Sequence, residues 1–292
     1  MSEKIQKVLA RAGKGSRREM EQAIEDGRVS VNDKVVQIGE RVNENDVLKL
    51  DGHLVKIKAV DDIPCRVLIY HKPLSEVSTR NDPQGRKTVF DRLPPLKNGR
   101  WVSVGRLDIN TTGLMLFTTD GELANRLMHP THEIEREYAV RVFGEVNDAI
   151  IQKLRMGIEL DDGPANFTKV KFHGGEGINR WYHVTLSEGR NREVRRMWES
   201  QGVQVSRLSR IRYGEIQLPR NLPQGGWAEL EIKDINYLRK LVQLKPVSMV
   251  KAVDANNKIK NIKANRIRKA IRKSELRQAR PAEKSKRSRK RV

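Results

Sequence analysis

The residues best equipped for chemistry lie in the stretch Val104-Gly-Arg-Leu-Asp108-Ile-Asn-Thr-Thr-Gly113. A carboxylate, Asp108, and a guanidinium, Arg106, stand two residues apart in a loop bounded by glycines. An ionised carboxylate near a cation suits nucleophilic attack or proton removal, because the cation offsets the pKa rise that burial imposes. Gly105 and Gly113 reach backbone conformations closed to other residues, which fits a tight loop that approaches a ligand. Spacing alone favours an Asx-type turn, with Asp108 bonding its own backbone and Arg106 on the surface.

Other chemistry is thinly supported. His129-Pro-Thr-His132 has no third ligand at a recognisable spacing and reads as a surface loop, so no metal is expected. Cys65 is the only cysteine. It excludes an intrachain disulfide and a thiolate zinc site, reads as a small buried apolar residue, and suits a reducing, cytoplasmic setting. Gly174-Gly-Glu-Gly177 lacks the lysine and the strand–helix context of a phosphate loop and reads as a turn. No dinucleotide or methyl-donor fingerprint is present, so no cofactor is expected.

Net charge is +21 and points to a polyanionic partner. Residues 251–292 hold 17 Lys and Arg against 3 Asp and Glu, whereas residues 1–250 hold 41 against 34. Most of the excess therefore sits in a tail without aromatic residues, which suits phosphate binding without sequence readout. The tail also lacks the bulky apolar face of an interfacial membrane helix. No apolar run is long enough to span a bilayer, and the first residues lack a secretory core.

The elements that position the loop follow from pattern. Ile5, Val8, Leu9 and Ala12 fall at helical spacing, and Ser16-Arg-Arg-Glu19 has the spacing of a capping box ahead of Met20, Ala23 and Ile24, with Gly27 at the C-terminal cap. Short β-type runs follow at Val29–Val31, Val35–Ile38 and Val47–Leu50. Arg11, Lys14, Arg17 and Arg18 gather at the start of the second helix, a place suited to phosphate, with no acidic partner close before Glu19. Asp61-Asp-Ile-Pro64 reads as a linker. Beyond it, strands are expected at Val67–Tyr70, Gly113–Thr119, Glu137–Phe143, Phe167–Phe172, Tyr182–Leu186 and Trp227–Ile232. Helices are expected at Asp120–Met128, Asp148–Met156, Arg192–Gln201 and Ile235–Leu244. Strands and helices mix without regular βαβ alternation, which indicates an α+β fold with a mixed, largely antiparallel sheet. The expected domains are 1–62, 63–245, and a basic, disordered tail over 246–292. Arg190, Arg192 and Arg196 read as phosphate contacts at a helix start or as a solvated cationic face.

Four segments in order then carry a resemblance: the loop around Asp108; Glu135-Arg-Glu-Tyr138; Glu188-Gly-Arg-Asn-Arg-Glu-Val-Arg195-Arg-Met197; and the stretch Val205 to Leu218. Together they resemble ribosomal RNA pseudouridine synthases of the RsuA/RluB type, and the first sixty residues resemble the S4-type RNA-binding domain in front of them. The resemblance implies isomerisation of a uridine in 23S ribosomal RNA, on a flipped-out nucleotide, by a cofactor-free monomer. It implies that Asp108 is catalytic, by addition to sugar or base or by removing a ribose proton. It further implies that Tyr138 stacks on the target base, that Arg195 pairs with Asp108, and that Arg106 contacts a phosphate or fills the space the base vacates. Arg136 stands where lysine is common, and Arg192-Glu193 replaces a His-Gln pair. A non-catalytic, RNA-binding ribosome-assembly factor is the rival reading, since the N-terminal module and the tail alone would serve it.

Overall fold

Ile5, Val8 and Leu9 are buried along one side of α1 (Ile5–Arg11), which follows a short strand, β1 (Glu3–Lys4). The second helix, α2 (Arg17–Glu25), starts at the expected capping box: the Ser16 hydroxyl accepts from the Glu19 amide at 3.1 Å, and the Glu19 carboxylate accepts from the Ser16 amide at 2.7 Å. Strands β2 (Val29–Val31), β3 (Lys34–Val35), β4 (Arg41–Val42), β5 (Leu48–Leu50) and β6 (His53–Leu54) follow. Four of them form a sheet in the order β3-β2-β5-β6, and β4 pairs with β1. The third strand stops at Val35 instead of continuing to Ile38, because of the residues beyond it only Val36 turns inward, leaving Ile38 half exposed.

The protein is described by a computed structural model over residues 2–57, 64–96 and 99–248. The expected linker residues 61–63 and nearly all of the basic tail lie outside the described residues.

The larger part is built on a nine-stranded sheet. Its elements are β7 (Val67–Lys72), β8 (Val102–Val104), β9 (Thr112–Thr118), α3 (Gly121–Met128), β10 (Arg136–Phe143), α4 (Asp148–Met156), β11 (Ile158–Leu160), β12 (Gly163–Ala165), β13 (Lys169–Glu176), β14 (Asn179–Leu186), α5 (Glu193–Glu199), β15 (Gln204–Tyr213), β16 (Ile216–Gln217), β17 (Trp227–Glu229) and α6 (Ile232–Leu241). The main strand order is β13-β14-β10-β15-β9-β7-β17, with β8 on β9 and β16 on β15, while β11 and β12 form a separate ribbon. The fold is α+β, with an N-terminal module ahead of a mostly antiparallel sheet.

Alternation along β7 and β9 explains why both faces are covered. Leu68, Tyr70, Met115 and Phe117 join one core with Val140 and with Leu154, Met197 and Trp198 from α4 and α5. Val67, Ile69, Leu114 and Leu116 join another with Leu123 and Leu127 of α3 and Ile235 and Leu238 of α6. Residues 174–176, expected in a turn, continue β13 past an irregularity after Phe172, and the hairpin turns at 177–178. The run from Trp227 ends as a strand at Glu229, and α6 begins three residues before the expected start. Asn236 holds Val247 by two hydrogen bonds, to its amide and its carbonyl, so the packed chain reaches two residues past the expected boundary at 245.

β15 was not expected as a strand, and it is the central piece. It pairs antiparallel with β10 and parallel with β9, where Ser209 faces Thr112 and Arg210 faces Gly113. Gly113, at φ +109°, permits this: a Cβ there would fall 2.2 Å from the Arg210 carbonyl oxygen. Its freedom thus serves a neighbouring strand and not a ligand. Gly105, at φ +79°, has open space beside it.

Candidate active site

The loop joining β8 to β9 is held by its carbonyl groups. Ser78 Oγ donates to the Leu107 carbonyl at 2.6 Å and accepts from the Leu107 amide at 3.2 Å. Lys72 Nζ donates to the carbonyls of Thr111 at 2.9 Å, Pro73 at 3.0 Å and Ile109 at 3.4 Å. Arg195 donates from Nη2 to the Asn110 carbonyl at 2.8 Å and from Nη1 to the Val205 carbonyl at 2.9 Å. The Asp108 carbonyl accepts from the Thr111 amide, so a backbone turn is present. The Asp108 carboxylate takes no part in it and has no hydrogen-bond or ion-pair partner among the described residues. The expectation of an Asx turn therefore fails at the side chain, which is left available to a ligand.

That carboxylate lines a cleft of about 1210 Å³, together with Arg106, Arg136, Tyr138, Arg210 and Tyr213. The volume exceeds the roughly 300–1,000 Å³ of a small-molecule pocket and suits a segment of polymer. Tyr138 shares the inward face of β10 with Val140 and Val142, and only 8% of it is exposed. Arg136 lies 5.2 Å over the Tyr213 ring and donates to the carbonyls of Ile134 and Ser187. Arg106 is exposed at the cleft margin.

Two buried cations set the field around Asp108. Lys72 is fully buried, and burial lowers its pKa to about 8 against the opposing pull of Glu76 and Asp108. Burial also lowers the pKa of Arg195, reinforced by the nearby Arg192 charge and opposed by Asp108. Arg195 was expected to pair directly with Asp108. No ion pair within 4.0 Å joins them, because both of its terminal nitrogens are engaged by carbonyls. It fixes the loop that carries the carboxylate.

The remaining expected contacts divide. Lys14, Arg17 and Arg18 are exposed. Arg11 is not available in the same way: it pairs with Glu3 at 2.5 Å, an acidic partner eight residues earlier that lies alongside once the helix forms. Arg190 bonds Asp162, Glu188 and Glu193, and Arg196 grips Asp162 through two nitrogens. These ion pairs tie the turn before α5 to the β11–β12 ribbon, and Arg190 also lines the cleft. Arg192 is exposed in the left-handed region at φ +48°, 3.7 Å from Glu199, and lines the cleft.

Sequence reasoning missed Lys72, Ser78 and Arg210. His71-Lys-Pro73 read as a strand exit, yet β7 continues through Lys72. Arg210, 3% exposed, donates from Nε to the Leu114 carbonyl at 2.7 Å, and its Nη2 is buried without a partner. No sequence signal marked them, since neither Lys72 nor Arg210 was expected to lie within a strand. Among the described residues no cluster of His, Cys, Asp and Glu could hold a metal ion, and no helix is long and apolar enough to cross a membrane.

Residues 66–200 match the family model for RNA pseudouridylate synthase, and residues 3–48 match the S4 domain. The chain is 61% identical over 273 residues to the ribosomal large subunit pseudouridine synthase B of Shigella flexneri, covering 93% of this chain and 94% of that one, and equally similar to its counterpart in Escherichia coli K12. It is 57% identical to the synthase of the same name in Vibrio vulnificus, over 96% of this chain and 89% of that one. Among solved structures, a pseudouridylate synthase superposes with a TM-score of 0.57 at 26% identity, covering 80% of this chain and 99% of that chain.

Proposed function

Since the chain belongs to the RNA pseudouridine synthases, a family of RNA isomerases, we propose that it converts one uridine of 23S ribosomal RNA, in the large subunit, to pseudouridine. The observation that carries the reading is the unpartnered Asp108 carboxylate on a loop anchored through its carbonyls and facing a cleft of polymer size.

The reaction breaks the bond from ribose C1′ to uracil N1 and forms one from C1′ to C5; the C5 proton is lost and N1 gains one. Nothing is oxidised and nothing is added, so no cofactor enters the proposal. A base stacked in a helix cannot rotate in this way, and the target nucleotide must be flipped into the cleft. Asp108 acts on that nucleotide, by addition to sugar or base or by proton removal. Tyr138 stacks on the uracil, an interaction worth about 1–3 kcal/mol. Arg195 and Lys72 hold the loop and supply positive potential next to the carboxylate. Arg106 meets a phosphate or fills the space the base leaves.

In this reading residues 1–62 are the S4-like RNA-binding domain and 63–245 the synthase domain, while 246–292 add phosphate affinity. Lys14, Arg17, Arg18 and Arg192 are the exposed RNA contacts. The enzyme works as a monomer in the cytoplasm, on ribosomal RNA or an assembling subunit. Asp108→Asn is expected to bind RNA and form no pseudouridine. A carbodiimide-based map of ribosomal RNA from cells with and without the protein tests the activity: one lost site supports it, and identical maps favour the non-catalytic assembly factor.

A further inference from the structure

Three arginines converge where the N-terminal module meets the chain ahead of β8. Arg100 donates to the Gly15 carbonyl, and Arg80 donates to the Trp101 carbonyl while its guanidinium lies 4.1 Å over the Phe90 ring. Arg17, the first residue of α2, follows Gly15 by two positions. The two backbones approach closely, since a Cβ on Gly13 would fall 2.9 Å from the Gly99 carbonyl oxygen.

The charges in this group are unbalanced. Burial lowers the pKa of Arg100, Glu19 opposes that, and Arg17 adds repulsion; for Arg80, burial is followed by repulsion from Arg100, with Glu19 again the only favourable charge. Glu19 already receives the Ser16 amide in the capping box. None of the three arginines has an ion-pair partner within 4.0 Å among the described residues. Clustered cations of this kind cost free energy that an incoming anion relieves.

Position indicates which anion. Ser78 and Thr79 line the cleft, and Arg80 comes next in the chain; Val102 and Ser103 line it, and Arg100 precedes Val102 by two positions. The cluster thus prolongs the cleft margin toward the N-terminal module, along the path of a strand leaving the site. We propose that Arg17, Arg80 and Arg100 form a clamp for the phosphodiester backbone flanking the target nucleotide, joining the N-terminal module to the cleft. The inference rests on the reading of the cleft as an RNA site. Contacts to phosphate fix register and orientation without reading sequence, so the clamp positions the RNA.

The test uses the full chain and two RNAs, one carrying long strands on both sides of the target loop and one trimmed to the loop. On the long RNA, the pair Arg80→Gln and Arg100→Gln should weaken binding about tenfold and lower the slope of log affinity against log salt by about 0.7–0.9 per arginine. On the trimmed RNA the variant and the unaltered protein should bind alike. Arg17→Gln, at an exposed side chain that bonds nothing across the seam, should repeat the pattern and separates phosphate loss from damage to the junction. An equal penalty on both RNAs, or an unchanged slope on the long one, overturns the clamp. Failure of the unaltered protein to convert uridine in the long RNA overturns the enzymatic reading instead, and the slopes still decide the clamp.

Discussion

Arg195 offers the sharpest perturbation, because its two hydrogen bonds connect the Asp108 loop to β15. Arg195→Met leaves the carbonyls of Asn110 and Val205 without a donor. Bonds from charged donors contribute about 1.5–3 kcal/mol each, so the gross loss is about 3–6 kcal/mol. Removing a guanidinium only 7% exposed, whose charged form burial disfavours, offsets part of it and leaves a net loss of about 2–4 kcal/mol. A domain with ~5–15 kcal/mol of stability survives that. The rate should fall further: a loop displaced by about 1 Å costs on the order of a hundredfold. Arg195→Lys keeps the charge but replaces two nitrogens, each aimed at its own carbonyl, with one, and should retain about a tenth of the rate, midway on this scale. The assay is single-turnover release of tritium from C5 of a labelled uridine at saturating enzyme, beside a thermal melt. A folded Met variant with the unaltered rate would refute the positioning argument, and full activity in the Lys variant would show that charge alone matters.

Gly113→Ala should destabilise the fold by several kcal/mol, on the order of a severe backbone clash, because its Cβ meets the Arg210 backbone at 2.2 Å and its φ is +109°; a urea midpoint equal to that of the unaltered chain would contradict this. Lys72 titrates near 8 when folded and at its ordinary 10.5 when unfolded, so between these values the unfolded chain holds the extra proton and stability rises with pH. Urea melts across that window should show the rise and lose it in Lys72→Met; an identical pH dependence in both proteins would exclude it. Deleting residues 251–292, which hold 17 basic residues, should weaken RNA binding and flatten its salt dependence, whereas an unchanged slope would remove the tail from phosphate binding.

Local signals in the sequence were legible where local physics decides. The capping box at Ser16 and Glu19 and the full span of α4 matched expectation, the latter because Asn147 caps it through the Ile150 amide. The alternating strands β7 and β9 were found to within two residues at each end. β15 escaped because Arg207, Arg210 and Arg212 punctuate it and its pairing shifts register next to Arg141 and Val142, which breaks the period of two. Arg210 stays buried there only through the Leu114 carbonyl and the Tyr213 ring, neither visible from its neighbours in the chain. For the site, the Asp108 loop and Tyr138 were legible as residue types, but Asp162, the carboxylate that Arg190 and Arg196 share, lies about thirty residues away in the chain. Burial of Lys72 was likewise hidden, since a basic residue next to proline reads as a loop until three carbonyls are known to surround it.

The seam between β9 and β15 is stitched by two parallel rungs, one of them at Gly113. So brief a zipper would fray were it not riveted from the side by Arg210 on Leu114, Arg195 on Asn110 and Thr112 on Leu208. The rivets end at Asn110, Thr112 and Leu114, where the loop that bears Asp108 runs into β9. The aperture of the cleft and the mechanical integrity of the sheet are therefore one property, and amide exchange along this seam should report how widely the site breathes.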